Sequence, residues 1–312
     1  MLTGQPFDDL QSIIDQLPDA DSCGEKKIRT SLAERGCVTD DGIANTIAWL
    51  GTWQGTGIPK VKEAHICVLV SAYEGAGNSS ESIDFIAKTA KGAAPVNVLC
   101  MGKGTGLRAI ELAPQIPHDL KAGWAEQDCM AAVAFGMEAT ASGGDLLGLS
   151  DMAPGNDVSA LAVVAACLGL DLLEIADVQQ QHDMDGVRAL LAEYPAASPL
   201  ENLRVLGGRE IAAAVGAIVA ARSRRLPVLV DGWAGLAACA VLEACRSGAT
   251  DHVLPASGSS AQKAVWRHMG KECLFAFPVA AGAGCGNALA ISMMDDICSL
   301  LLMRESKSSR QR

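Results

Sequence analysis

Three loops hold the residues best placed for chemistry. In residues 147–156 (LGLSDMAPGN) an acid, Asp151, and an amide, Asn156, stand just past an apolar run and before an Ala/Val-rich helical stretch. In residues 206–211 (LGGREI) the pair Gly207-Gly208 opens another small-residue helix. Free backbone N–H groups there can cradle a phosphate, and the same glycines can equally serve close helix–sheet packing. In residues 281–287 (AGAGCGN) Gly282, Gly284 and Gly286 alternate with other residues. Glycine at every second position implies that a ligand or another backbone comes very near. Other motifs are weaker. Gly102-Lys103-Gly104-Thr105-Gly106 misses the dinucleotide-binding spacing, and there is no phosphate-binding Walker sequence and no serine-hydrolase elbow. Asp183 and Asp185 lack a metal-site context and read as a solvated helix start.

These loops need strands and helices to hold them. Short, β-branched apolar runs are each followed by small or polar residues at 64–73, 96–101, 145–149, 227–230, 252–255 and 274–279. Helical patterns separate them at 82–91, 125–140, 158–170, 209–223, 234–246, 261–269 and 288–303. The alternation predicts an α/β fold: a doubly wound, mainly parallel six-stranded sheet flanked by helices, with ligands bound outside the carboxyl ends of the strands. Two helical patterns without a strand occupy the first 60 residues. They predict an N-terminal helical lobe over 1–62, a Rossmann-like domain over 63–290, and a last helix with a frayed basic tail over 291–312, that helix being a candidate addition to the lobe.

Composition narrows the class. The chain has 312 residues, 49% of them hydrophobic but only 4% aromatic, as suits buried sheets and close-packed helices. A net charge of −11 argues against a nucleic-acid partner. The eleven cysteines fall singly, several inside apolar runs, and read as reduced thiols of a cytoplasmic protein. The scattered cysteines and histidines predict no metal site. The acidic start MLTGQPFDDL is unlike a signal peptide, and the apolar runs 158–170 and 211–221 are too short to span a bilayer, so no membrane association is expected.

With these loops in order, the chain resembles the nicotinate-nucleotide–dimethylbenzimidazole phosphoribosyltransferase family. The resemblance is strongest over 203–291, where LRVLGGREIAAAVGAIVAARSRRLPVLVDGWAGLAACAVLEAC follows the family's glycine-pair and "LPVLLDGF" block. GLSDMAPGNDVSALA resembles a second family loop, and roughly three-quarters of the chain is covered. The resemblance implies transfer of phosphoribosyl from nicotinate mononucleotide to a benzimidazole-type base, with release of nicotinate, no cofactor and no metal. It places ligand contacts at Asp151, Asn156, Gly207, Gly208, Asp231, Ser257, Ser260, Gly282, Gly284 and Gly286, and it implies a dimer. The chain departs from the family at three points. Ala283 stands where the family has its catalytic glutamate. Residues 257–262 (SGSSAQ) keep the family serines without its His and Glu. No lysine lies between 122 and 262, where a phosphate-binding lysine is expected, with Arg188 the basic residue noted nearby. A lost general base is worth ~10²–10⁴-fold in rate. Two expectations therefore stand: a divergent enzyme using Glu74, Asp231 or water as base, or a silent family member, either a nucleotide-binding module or the inactive half of a heterodimer with an active paralogue.

Overall fold

The computed structural model describes residues 4–37, 41–74, 79–171, 183–195 and 197–302. Part of the loop after the first strand (75–78), part of the 172–199 connection and the basic tail lie outside them. Three helices open the chain: α1 (Pro6–Asp15), α2 (Ser22–Glu34) and α3 (Gly42–Gln54). Then follow β1 (Ala64–Val70), α4 (Ser79–Ala90), α5 (Pro95–Met101), β2 (Gly106–Glu111), α6 (Glu126–Met137), β3 (Leu146–Met152) and α7 (Asn156–Leu168). The chain continues through α8 (Asp183–Glu193), α9 (Pro199–Leu206), α10 (Arg209–Ser223), β4 (Val228–Asp231), α11 (Trp233–Cys245), β5 (Val253–Pro255), α12 (Ser260–His268) and α13 (Cys285–Cys298).

The strands form one parallel sheet in the order β2-β1-β3-β4-β5. Alternation along each strand divides two cores. Cys67, Leu69, Leu147, Leu149, Val228 and Val230 face α6, α7, α10 and α11, whereas Ile66, Val68, Val70, Leu146 and Leu229 face α5 and α13. This is a doubly wound α/β fold. The chain reverses its direction of growth between β1 and β3, the switch point at which such sheets open a crevice for ligands.

The sheet has five strands among the described residues, not six. Residues 274–279 run beside β5 and its exit and make only two main-chain hydrogen bonds there, from Leu274 N to Pro255 O (2.9 Å) and from Phe275 N to Ala256 O (3.0 Å). Phe277 is exposed and Pro278 has no N–H to donate, so no ladder propagates there. The expected strand at 96–101 is a helix, α5. Pro95 occupies its first turn, and Asn97 Oδ1 accepts from Ala94 N at 3.1 Å to close it. The second strand lies instead at β2, whose broken apolar pattern (GLRAIE) befits an edge.

The N-terminal helices divide. Leu10 and Ile14 of α1 belong to the main core, whereas Ile28, Leu32, Ala44, Ile47 and Ala48 of α2 and α3 share a small core with Leu301. Arg222 binds this region to the body: its Nε donates to Pro18 O (2.7 Å) and its guanidinium lies 4.2 Å from the ring centre of Trp53. Residues Cys285–Leu302 are long and apolar enough to cross a membrane. Ala288, Ala290, Ile291 and Met294 of α13 are nevertheless buried against the sheet, as in a core helix.

Candidate active site

Two carboxylates stand at the carboxyl ends of neighbouring strands. Asp151 in β3 is opposite Leu69 of β1, and Asp231 in β4 is opposite Ser150 of β3. Strand alternation sends them to opposite faces, Asp151 continuing the Leu147–Leu149 row and Asp231 the Leu229 row. They straddle the end of the sheet beside the switch point.

Each carboxylate organises a loop. Asp151 Oδ2 accepts from Asn156 Nδ2 (2.7 Å), and its Oδ1 accepts from Ala234 N (3.0 Å) at the start of α11. Gly232 carries φ +133°, and a Cβ there would overlap Asp151 Oδ1. Asp231 Oδ1 accepts from Ser257 Oγ (2.8 Å) and Oδ2 from Gly286 N (3.0 Å). A Cβ on Gly286 would lie 2.5 Å from the same carboxylate. Asn287 completes the junction by donating from Nδ2 to Leu149 O and Ser150 Oγ, both at 2.9 Å.

Burial raises both carboxyl groups. Asp151 is pushed up to about 6, mainly by desolvation and further by the charge of Asp231, against the bonds from Asn156 and Ala234. Asp231 is also raised by burial, with Ser257 and the N–H groups of Gly286 and Asn287 pulling the other way. Asp151 therefore changes charge close to neutrality, while Asp231 is the more heavily bonded of the two.

The Gly207-Gly208 turn packs on Tyr73, just past the carboxyl end of β1. A Cβ on Gly207 would come within 2.5 Å of Leu203 O, and one on Gly208 would overlap the Tyr73 hydroxyl. Close packing alone therefore accounts for both glycines. Below them Glu210 is fully buried, with Oε1 2.5 Å from Tyr73 Oη. Arg209, first in α10, donates to Ile116 O (2.6 Å) and lines a cavity of about 580 Å³ with His118, Trp124 and Phe135.

The remaining expected residues are more dispersed. Gly282 and Gly284 adopt φ +122° and +81°, so the loop requires glycine at both for backbone reasons. Ala283 between them is half-buried. Ser260 heads α12 with an exposed side chain, Ser257 being the serine that reaches a carboxylate. Arg188 pairs with Asp185 at 3.0 Å on α8, both exposed. Glu74 is exposed, and its N donates to His118 O. Among the described residues no cluster of three His, Cys, Asp or Glu could hold a metal ion. Tyr73, Glu210, Asn287 and Arg209 were not singled out from the sequence. Glu210 stands two residues after the Gly207-Gly208 pair in the stretch that carries the family resemblance, whereas Tyr73 at a strand end carries no signal of its own.

A family model described as phosphoribosyltransferase matches residues 42–309. A nicotinate-nucleotide–dimethylbenzimidazole phosphoribosyltransferase of Brucella melitensis is 33% identical over 94% of this chain and 93% of its own length. The chain belongs to this phosphoribosyltransferase family. The enzyme of the same name from Brucella canis is equally similar, 33% identical over the same shares. The crystal structure of CobT from Thermus thermophilus superposes with a TM-score of 0.81, covering 92% of this chain and 99% of that one at 20% identity. That likeness extends the family's α/β architecture over nearly the whole molecule.

Proposed function

We propose that this chain transfers the phosphoribosyl group of nicotinate mononucleotide to a benzimidazole-type nitrogen base, with Asp151 as the proton acceptor. Family membership supports the reaction. The observation that carries the assignment of Asp151 is a half-buried carboxylate at the carboxyl end of β3, at the switch point, bonded to Asn156 and Ala234 and raised to about 6 next to Asp231, which binds the glycine loop. In the reaction the acceptor nitrogen forms a bond to C1′ of the ribose. The C1′–N bond of nicotinate mononucleotide breaks, its electron pair going to the pyridine nitrogen. The N–H proton of the acceptor must then leave, and a carboxylate titrating near neutrality is a suitable base. Asp231, tied to Ser257 and Gly286, serves to hold the α12 and α13 loops in place. Asn156 and the Gly207-Gly208 turn complete the proposed sugar-phosphate side, with Gly282, Gly284 and Gly286 shaping the opposite wall and Ser260 at the rim. Arg209, at the start of α10, is the basic side chain next to this turn in sequence, but its guanidinium is held by Ile116 O and lines the cavity with His118 and Trp124.

Incubating the purified protein with nicotinate mononucleotide and a panel of benzimidazole, purine and phenolic acceptors tests this reading. Release of nicotinate with formation of the riboside phosphate is expected. Ala283→Glu is expected to raise turnover, because it restores a carboxylate in a loop whose unusual φ angles belong to its glycines.

Ala283 itself favours a second reading, a silent nucleotide-binding subunit of a heterodimer. Inertness of both wild type and Ala283→Glu, with nicotinate mononucleotide still bound, would establish it. We infer a cytoplasmic protein from its free thiols, and a dimer; light scattering alone and with a paralogue distinguishes homodimer from heterodimer.

A further inference from the structure

A buried chain of oxygens lies beneath the glycine turn, and its hydrogens can be counted. Ser159 Oγ is 2.6 Å from Leu206 O, a carbonyl that can only accept, so the serine hydrogen is committed there. Tyr73 Oη is 3.2 Å from Ser159 Oγ and 2.5 Å from Glu210 Oε1, and it has one hydrogen for the two contacts. If Glu210 is ionised, Tyr73 must donate to it, and the Tyr73–Ser159 contact has no hydrogen. If Glu210 is protonated, it donates to Tyr73, Tyr73 to Ser159 and Ser159 to Leu206 O. Every contact then carries one hydrogen. Glu210 Oε2 is buried without a hydrogen bond, and so is Ser71 Oγ, the neighbouring hydroxyl that favours the anion; an unpaired oxygen is far better tolerated on a neutral acid.

We infer that Glu210 is a positioning residue carried as the neutral acid, which through Tyr73 fixes the Gly207-Gly208 turn at the floor of the site. The link to the turn is steric as well as polar, because the Tyr73 hydroxyl occupies the space a Cβ on Gly208 would need. The groups facing Glu210 include no cation. Tyr73 and Ser71, past the end of β1, offer hydroxyls that favour the anion; Ser159 comes from α7; and Asp151 of β3, an anion at neutral pH, repels it. Arg209 is adjacent in sequence, but its guanidinium is bonded to Ile116 O. Burial and the repulsion of Asp151 raise Glu210 to about 7, outweighing Tyr73, Ser71 and the start of the helix.

The catalytic consequence rests on the phosphoribosyl-transfer reading, whereas the proton count does not, so the test has three arms. Infrared difference spectra of wild type against Glu210→Gln are expected to show a protonated carboxyl band that disappears as pH rises through about 7. Its absence at mildly acidic pH would overturn the inference. In thermal melts, the Tm of Glu210→Gln relative to wild type is expected to rise from about pH 5 to about pH 8, because ionising the buried acid costs only the wild type. A relative Tm that is flat or falls over that range would also overturn it. In the transfer assay, the wild type should lose kcat with a midpoint near 7 on the alkaline side, and Glu210→Gln should remove that limb. An alkaline limb persisting in the variant would count against the positioning role. Should Glu210→Gln fail to fold, Tyr73→Phe must shift the carboxyl band of Glu210; an unmoved band rejects the Tyr73 link. A protein inert in transfer but showing the infrared and Tm signatures would separate failure of the activity from failure of this inference.

Discussion

At Asp151 a single side chain joins charge, geometry and loop conformation. Its two oxygens hold Asn156 and the start of α11, and Gly232 lacks a Cβ because that space belongs to the carboxylate. Asp151→Asn is expected to lower kcat by ~10²–10⁴-fold, measured as nicotinate release. The wild-type profile should have an acid limb near 6, because the base must be ionised and protonation below that pH removes it. The same raised value has a stability consequence. The folded state retains a proton that the unfolded chain releases, so this group's contribution to stability falls as pH rises from about 4 to about 6. Part of this was legible in the sequence: Asp151 and Asp231 stand at the ends of β3 and β4 and Asn156 opens α7, as their loops suggested, whereas Gly207-Gly208 join two helices and the 282–286 glycines lead into α13 without a strand before them. What could not be read was pairing. Nothing in a linear chain shows that Asp231 selects Ser257 rather than Ser260, or that Gly286 is small for Asp231's sake.

At the scale of elements, close approach governs. Gly136 of α6 faces the backbone of Ala213 in α10, and Gly216 of α10 faces the carbonyl of Val133 in α6; a Cβ at either would overlap the opposite main chain. Two helices so near each other exchange side-chain volume for backbone contact. Gly216→Ala is therefore expected to cost at least ~1–3 kcal/mol in denaturant unfolding, although alanine is the better helix former in isolation. Elements are also where the structure departs from the sequence pattern. An apolar run preceded by proline (PVNVLCM) reads as a strand on β-branched content, yet its Pro-initiated first turn makes it α5. The true β2 is an edge strand whose exposed Arg108 and Glu111 break the apolar pattern. The strand expected at 274–279 stopped at two hydrogen bonds because strand pairing requires donors and partners as well as hydrophobicity.

For the whole molecule, the binding end and the anchoring end of the sheet are separate. Arg222 lies near the foot of α10, where it holds Pro18 O and covers Trp53, while Arg246 donates to Ile14 O and Leu17 O. Buried Arg222 and half-buried Arg246 attach the N-terminal helices to the body. Arg222→Ala is expected to destabilise the protein by ~2–4 kcal/mol, through lost packing and orphaned carbonyls, without raising KM for nicotinate mononucleotide. A change in KM would show that the two ends of the sheet are coupled.

The three-way junction at Asp231 also sets an order of events during synthesis. Its partners arrive from residues 257 and 286, so the carboxylate emerges from the ribosome well before the groups that hold it. Until α13 docks, β4 ends in a hydrated anion and the glycine loop has nothing to close upon. The crevice is thus one of the last parts of the nascent chain to take shape, and a polypeptide halted before Gly286 would have most of its sheet but no finished pocket.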